Sequence, residues 1–181
     1  MSEEIETEPS LQHRPPSNGG KIFSAVLLVV VAVAFAFAFT IRPVSKAPEI
    51  RAAGWLNGPG PTPEELHGKV LVVDAWAFWC GPCRASAPEL VKLHERYRER
   101  GVVFLGLTSE GADQDAENRR FLADTKITWP NGFGAVGTLI KLKADFIPQV
   151  WVIDRKYNLI WNVNSSEPIE SAIDRALAQK P

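Results

Sequence analysis

The pattern of apolar and polar positions divides the chain into stretches of different character. Residues 1–21 are polar and punctuated by Pro9, Pro15, Pro16, Gly19 and Gly20. They hold almost nothing to bury, so a disordered tail is expected. Residues 22–41 reverse the pattern: no position is charged, only Ser24 and Thr40 are polar, and Lys21 and Arg42 bracket the run. As a helix this run is about 30 Å long, the thickness of a bilayer core, and it is apolar on every face. It is therefore predicted to be a single N-terminal transmembrane helix. Residues 42–47 follow as a linker, and 48–181 as a folded domain whose first part is broken by Pro48, Gly54, Gly58, Pro59, Gly60, Pro61 and Pro63.

Within 48–181 the period changes from segment to segment. Lys69–Trp76 is an almost unbroken β-branched and apolar run, the signature of a central strand covered on both faces, interrupted by Asp74. From Gly81 to Arg100 the apolar positions Ala87, Leu90, Val91, His94 and Tyr97 fall at helical spacing, and Gly101 supplies a stop. Val102–Thr108 is a second buried strand, Ser109–Asp113 a loop, Gln114–Thr125 a charged helix, Trp129–Gly132 a turn and Ala135–Lys143 a short helix. Gln149–Ile153 and Leu159–Val163 flank Asp154–Asn158 as a hairpin, and Pro168–Gln179 closes the chain as a helix. The alternation of strands and helices predicts an α/β fold.

Composition narrows the function. With 45% apolar and 23% charged residues among 181 the chain has a globular composition, and the net charge of −1 excludes a chain that coats nucleic acid. The charges flanking the apolar run do not decide its orientation, because long domains cross membranes largely regardless of charge. A cleaved signal peptide is the alternative reading of 22–41, with Ser45-Lys46-Ala47 as a loose cleavage pattern. The long acidic n-region, the length of the run and Pro48 argue for an uncleaved anchor.

The two cysteines, Cys80 and Cys83, stand at the junction of a buried strand and a helix. Cys80 would meet the unpaired N–H groups and the positive dipole end of that helix, which stabilise a thiolate. Pro82 suits the first helical turn, and Cys83 lies one turn on, within reach of Cys80. A zinc site would need further ligands from His13, His67 and His94, none at suitable spacing. A Cu(I) ion held by the dithiol remains an alternative. Asp74, an acid within apolar neighbours, should have a raised pKa.

The segment Val72-Val73-Asp74-Ala75-Trp76-Ala77-Phe78-Trp79-Cys80-Gly81-Pro82-Cys83-Arg84 resembles the active-site segment of thioredoxins. Together with the apolar run, Ala47–Glu49 and Cys83–Leu90, it resembles the membrane-anchored TlpA/ResA-like thiol–disulfide oxidoreductases. The resemblance implies a thioredoxin fold, a central mixed β-sheet flanked by helices, with an extra helical insertion between Cys83 and Pro148. It implies that Cys80 is the nucleophile, Cys83 the resolving cysteine, and Asp74 a proton acceptor for the second. It also implies that Pro88 kinks the long helix and that Ile147-Pro148 is a cis dipeptide packed against the disulfide. Trp79, Gly81, Pro82, Ile147 and Pro148 are the implied substrate-binding positions; Trp76, Trp129, Trp151 and Trp161 are expected to be packing residues. One departure stands out: many ResA-like proteins are similar to one another in an acid three residues after the second cysteine, where this chain has Ser86.

The expected function is a membrane-tethered thiol–disulfide oxidoreductase with an extracytoplasmic domain. It would act on a disulfide-bearing client protein, in a role of cytochrome c maturation type or related to it, and draw on a thiol electron donor, soluble or membrane-bound. No cofactor and no metal are called for. The Gly-Pro dipeptide resembles that of reducing thioredoxins; a disulfide oxidase or isomerase and a Cu(I)-binding dithiol module are the alternatives.

Overall fold

The computed structural model describes residues 45–180. The tail, the apolar run expected to span a membrane and the first part of the linker lie outside the described residues. Among the described residues no helix is long and apolar enough to cross a membrane.

The fold is organised around β3 (Val70–Ala75), every residue of which is buried. It pairs in parallel with β4 (Val102–Leu107) on one side and antiparallel with β6 (Gln149–Ile153) on the other. Such a strand must have two apolar faces. Val70, Val72 and Trp76 enter one core, with Ala87, Leu93 and Tyr97 of α2 (Gly81–Tyr97), Phe121 and Leu122 of α3 (Asp115–Thr125), and Ala172, Ile173 and Ala176 of α5 (Ile169–Leu177). Leu71, Val73 and Ala75 enter the other, with Leu66 of α1 (Pro63–Leu66) and Leu139 of α4 (Val136–Lys141). The result is a mixed sheet between two helical layers, as the α/β pattern and the thioredoxin resemblance imply.

The sheet is wider than the sequence suggests. Three short strands, β1 (Ser45–Lys46), β2 (Gly54–Leu56) and β5 (Asn131–Phe133), join β7 (Asn158–Asn162) in the order β1-β7-β6-β3-β4-β5-β2. Strand β1 falls in the stretch read as linker. The Trp129–Gly132 turn is corrected in part: Asn131 and Gly132 are strand, paired with Gly106 and Leu107 of β4 and with Leu56 and Trp55 of β2. Backbone partners from two other strands outweigh the local turn preference of Pro-Asn-Gly. Helix α2 ends at Tyr97, and Arg98–Arg100 form a single 3₁₀ turn before Gly101, whose φ of 81° an L-residue would adopt only with strain. Helices α3 and α4 lie between β4 and β6 and supply the expected insertion.

Candidate active site

Cys80 and Cys83 form a disulfide, with their Cα atoms 5.3 Å apart, and both are buried. Cys80 is the N-cap of α2. It leaves extended backbone for the helix and its Sγ accepts a hydrogen bond from the Cys83 N–H at 3.1 Å. This sulfur thus already receives one of the helix's unpaired donors, as a Cys80 thiolate would need. Gly81 and Pro82 occupy the first turn, both exposed. Pro88 lies inside α2 on its exposed side, where it removes the N–H that would bond the Arg84 carbonyl.

Asp74 sits in the middle of β3, with Gly106 and Val150 as its neighbours in the flanking strands. Its side-chain partner is Trp129, whose indole N–H donates to Oδ1 at 3.2 Å. Burial pushes the carboxyl up from the ordinary 3.8 to about 7, against the opposing pull of the Trp129 hydrogen bond. Asp74, Cys83, Ser86 and Pro148 all line one small internal cavity of about 10 Å³. That is room for about one water molecule. The peptide Ile147–Pro148 is cis, and Pro148 directly precedes β6.

The predicted site residues therefore divide. Cys83, Asp74 and Pro148 meet on one cavity, with Cys80 bonded to Cys83. Trp79 is 63% exposed, its indole N–H donating to Glu110 Oε1 at 3.0 Å. An adjoining groove of about 320 Å³ runs from Ser86 and Pro148 past Leu90, Val150 and Trp161. Of the predicted substrate positions it is lined by Pro148 alone; Trp79, Gly81, Pro82 and Ile147 do not border it. Ser86, at the position where ResA-like chains carry an acid, donates to the Cys83 carbonyl at 3.2 Å.

Sequence reasoning missed three contributors. Trp129, expected only to pack, is the donor to Asp74. Asn131 accepts the indole N–H of Trp76 at 2.8 Å, and Glu110 holds Trp79. Each acts across 31 or 55 positions of chain, and no local pattern marks the pairing. Among the described residues, no group of three or more His, Cys, Asp or Glu side chains is placed to hold a metal ion.

The Redoxin family model matches residues 45–177. FixW of Rhizobium leguminosarum is 31% identical over 123 residues, which cover 61% of this chain and 55% of that protein. The thiol-disulfide oxidoreductase ResA of Bacillus thuringiensis is 24% identical over 108 residues, covering 59% of this chain and 61% of its own length. The chain thus spans little more than half of these curated relatives. Among solved structures, the thioredoxin-like superfamily protein SPOA0173 superimposes with a TM-score of 0.65 at 24% identity, over 75% of this chain and 97% of that one. This likeness shows the fold. A disulfide-forming cysteine pair at the head of a helix in a thioredoxin-like fold supports thiol–disulfide oxidoreductase chemistry.

Proposed function

The chain belongs to the Redoxin family, and from that premise we propose that it is a membrane-tethered thiol–disulfide oxidoreductase that reduces disulfides of extracytoplasmic client proteins. The observation that carries this reading is the dithiol at the N-terminus of α2 sharing a cavity with a buried carboxyl poised near neutrality. The apolar run 22–41 is the tether. An extracytoplasmic placement follows from the use of a tether, since the cytoplasm already holds soluble thiol reductants. The client belongs to cytochrome c maturation or a related envelope process, the role that the resemblance to TlpA/ResA-like proteins implies.

In the reduced protein, the Cys80 thiolate attacks one sulfur of the client disulfide and displaces the other as a thiolate, leaving a mixed disulfide. The Cys83 thiol gives its proton to the Asp74 carboxylate across the cavity that both groups line. The Cys83 thiolate then attacks the Cys80 sulfur, closes the Cys80–Cys83 bond and expels the client's second sulfur as a thiolate; the two client thiolates take up protons from Asp74 and the solvent. Two electrons have passed to the client, and a thiol donor must return them. A carboxyl with a pKa of about 7 suits this role, because it is substantially ionised at neutral pH yet basic enough to accept a proton. The client backbone lies along the edge at Ile147-Pro148 by strand addition. The apolar groove beside Pro148 accepts an adjoining apolar side chain, and Trp79, Gly81 and Pro82 form the opposite rim of the contact.

The test is the reduction potential of Cys80–Cys83 in the detergent-solubilised chain, equilibrated against a thiol buffer with Cys80→Ser as control. A value near the roughly −270 mV of thioredoxin supports a reductase. A value near the about −120 to −180 mV of folding oxidants and isomerases overturns that direction. Absence of a reversible couple, with Cu(I) bound stoichiometrically, would replace the redox reading by the metal-binding one.

A further inference from the structure

On the face of the sheet opposite α2 and α5 lies a second groove, of about 420 Å³, that the redox chemistry does not use. It is bordered by Lys46 of β1, by Lys141 and Lys143 at the end of α4, and by Phe146 and Gln149. Asp145 is the single acid on its rim, so the rim carries an excess of positive charge. Lys46 Nζ donates to the Lys156 carbonyl at 2.7 Å, which keeps this ammonium at the edge of the groove. Phe146 is 53% exposed, and Ile140, on the solvent side of α4 beside Lys141, is 70% exposed.

Gln149 at the start of β6 is 4% exposed. Along β6, Gln149 alternates with Val150, which borders the groove on the α2 side, and shares parity with Trp151, which lines this one.

The chain's own connectivity says what comes to this groove. The apolar run ends at Ile41, and Ser45 already stands in β1. Four residues of fully extended chain reach at most ~14 Å. If the run is membrane-embedded, β1 and the lysines beside it lie within or just outside the headgroup layer, where basic side chains are attracted to anionic lipids and exposed aromatic and aliphatic side chains enter the interface. The geometry points to the groove between β1, the end of α4 and the start of β6 as a docking site for the phosphate headgroups of an anionic membrane surface. Lys46, Lys141 and Lys143 meet the phosphate charge, and Phe146 and Ile140 contact the acyl boundary. Because Gln149 follows Pro148, docking here holds the client-binding edge beside the membrane. The inference rests on the tethered reading proposed above.

The full chain in lipid nanodiscs tests it by lysine acetylation footprinting, read by mass spectrometry. Each basic residue near an anionic surface strengthens attachment by about fivefold. Lys141 and Lys143 are therefore expected to acetylate about fivefold more slowly on phosphatidylglycerol-containing discs than on phosphatidylcholine discs, with Lys92 and Lys126 unchanged. The difference is expected to vanish at high salt and to shrink in Lys46→Glu. Equal rates on both lipids would overturn the proposal. Protection on phosphatidylcholine discs by inorganic phosphate alone would overturn the lipid as its source and leave a soluble anion site. A chain that alkaline carbonate extracts from membranes would sink the tether, and the docking site with it; a chain that stays inserted but shows no lipid dependence would sink the docking site alone.

Discussion

Two buried aspartates respond to burial in opposite ways, and the difference lies in their hydrogen bonds. Asp74 has one indole donor, too little to offset desolvation, and its carboxyl rises to about 7. Burial also pushes Asp154 up, but the N–H groups of Lys156 and Asn158 and the side chains of Asn158 and Gln179 outweigh it and hold the carboxyl below its ordinary range. Their contributions to stability therefore have opposite sign. For Asp74 the folded state binds the proton more tightly than the unfolded chain, so stability falls as pH rises from about 4 to about 7, by roughly 4 kcal/mol in all. Asp74→Asn is expected to abolish that slope and to raise stability at pH 8 by about 2–4 kcal/mol. Urea unfolding at pH 5 and pH 8 checks this, and an unchanged slope would show that Asp74 is not the titrating group. In turnover the same variant is expected to slow release of the client from the mixed disulfide by on the order of 10²-fold at pH 8, with little effect at pH 5. Asp154, by contrast, stabilises above its lowered pKa and loses this as pH falls through it. Asp154→Ala leaves two backbone donors of the hairpin turn without their acceptor and is expected to cost about 2–3 kcal/mol, measured as a shift in the urea midpoint at pH 7.

At the scale of elements, the site is held by the tight centre of the sheet. Gly106 of β4 lies opposite Asp74, and a Cβ there would run into the Asn131 side chain and stand 2.8 Å from the Trp76 indole nitrogen. Trp76 in turn stacks on Phe121 of α3, with ring centroids 4.6 Å apart. Gly106→Ala is therefore expected to break the Trp76–Asn131 hydrogen bond and to cost about 1–3 kcal/mol through overpacking. The loss would be seen in thermal unfolding and in altered tryptophan fluorescence; an unperturbed spectrum would contradict the packing. The elements differ in how far their sequence announces them. Strands β3, β4 and β6 and helices α2 and α5 carry their burial in a local run or a helical period, and their bounds agree with the pattern to within three residues. Strands β1, β2 and β5 have two or three residues each, too few for any period, and exist because a neighbouring edge offers them partners.

At the scale of the molecule, the tethered reading makes a prediction about sidedness. In intact cells or right-side-out spheroplasts, protease added outside is expected to degrade the domain carrying Cys80, while in inverted vesicles the domain is protected. The reverse pattern would place the dithiol in the cytoplasm and remove the case for an extracytoplasmic client. The start of the domain at β1 and the end of β3 that leads to Cys80 share one sheet: β1 pairs with β7, β7 with β6, and β6 with β3. Whatever fixes β1 near a surface therefore limits the orientations from which a client reaches Cys80.

Local sequence was enough to determine the two thiols at a strand–helix junction, the acid within a buried strand and the uncharged run at 22–41. Each of these is a statement about neighbours along the chain, where residue type and period carry the physics directly. Only the tertiary structure decided that Trp129 is the donor to Asp74, that Pro148 and Cys83 share a cavity with that acid, that the apolar groove excludes Trp79, and that Lys46 faces Lys141 and Lys143 across one groove. These meetings join residues tens of positions apart. They follow from which strands pair and which faces are buried together, and no single segment encodes them.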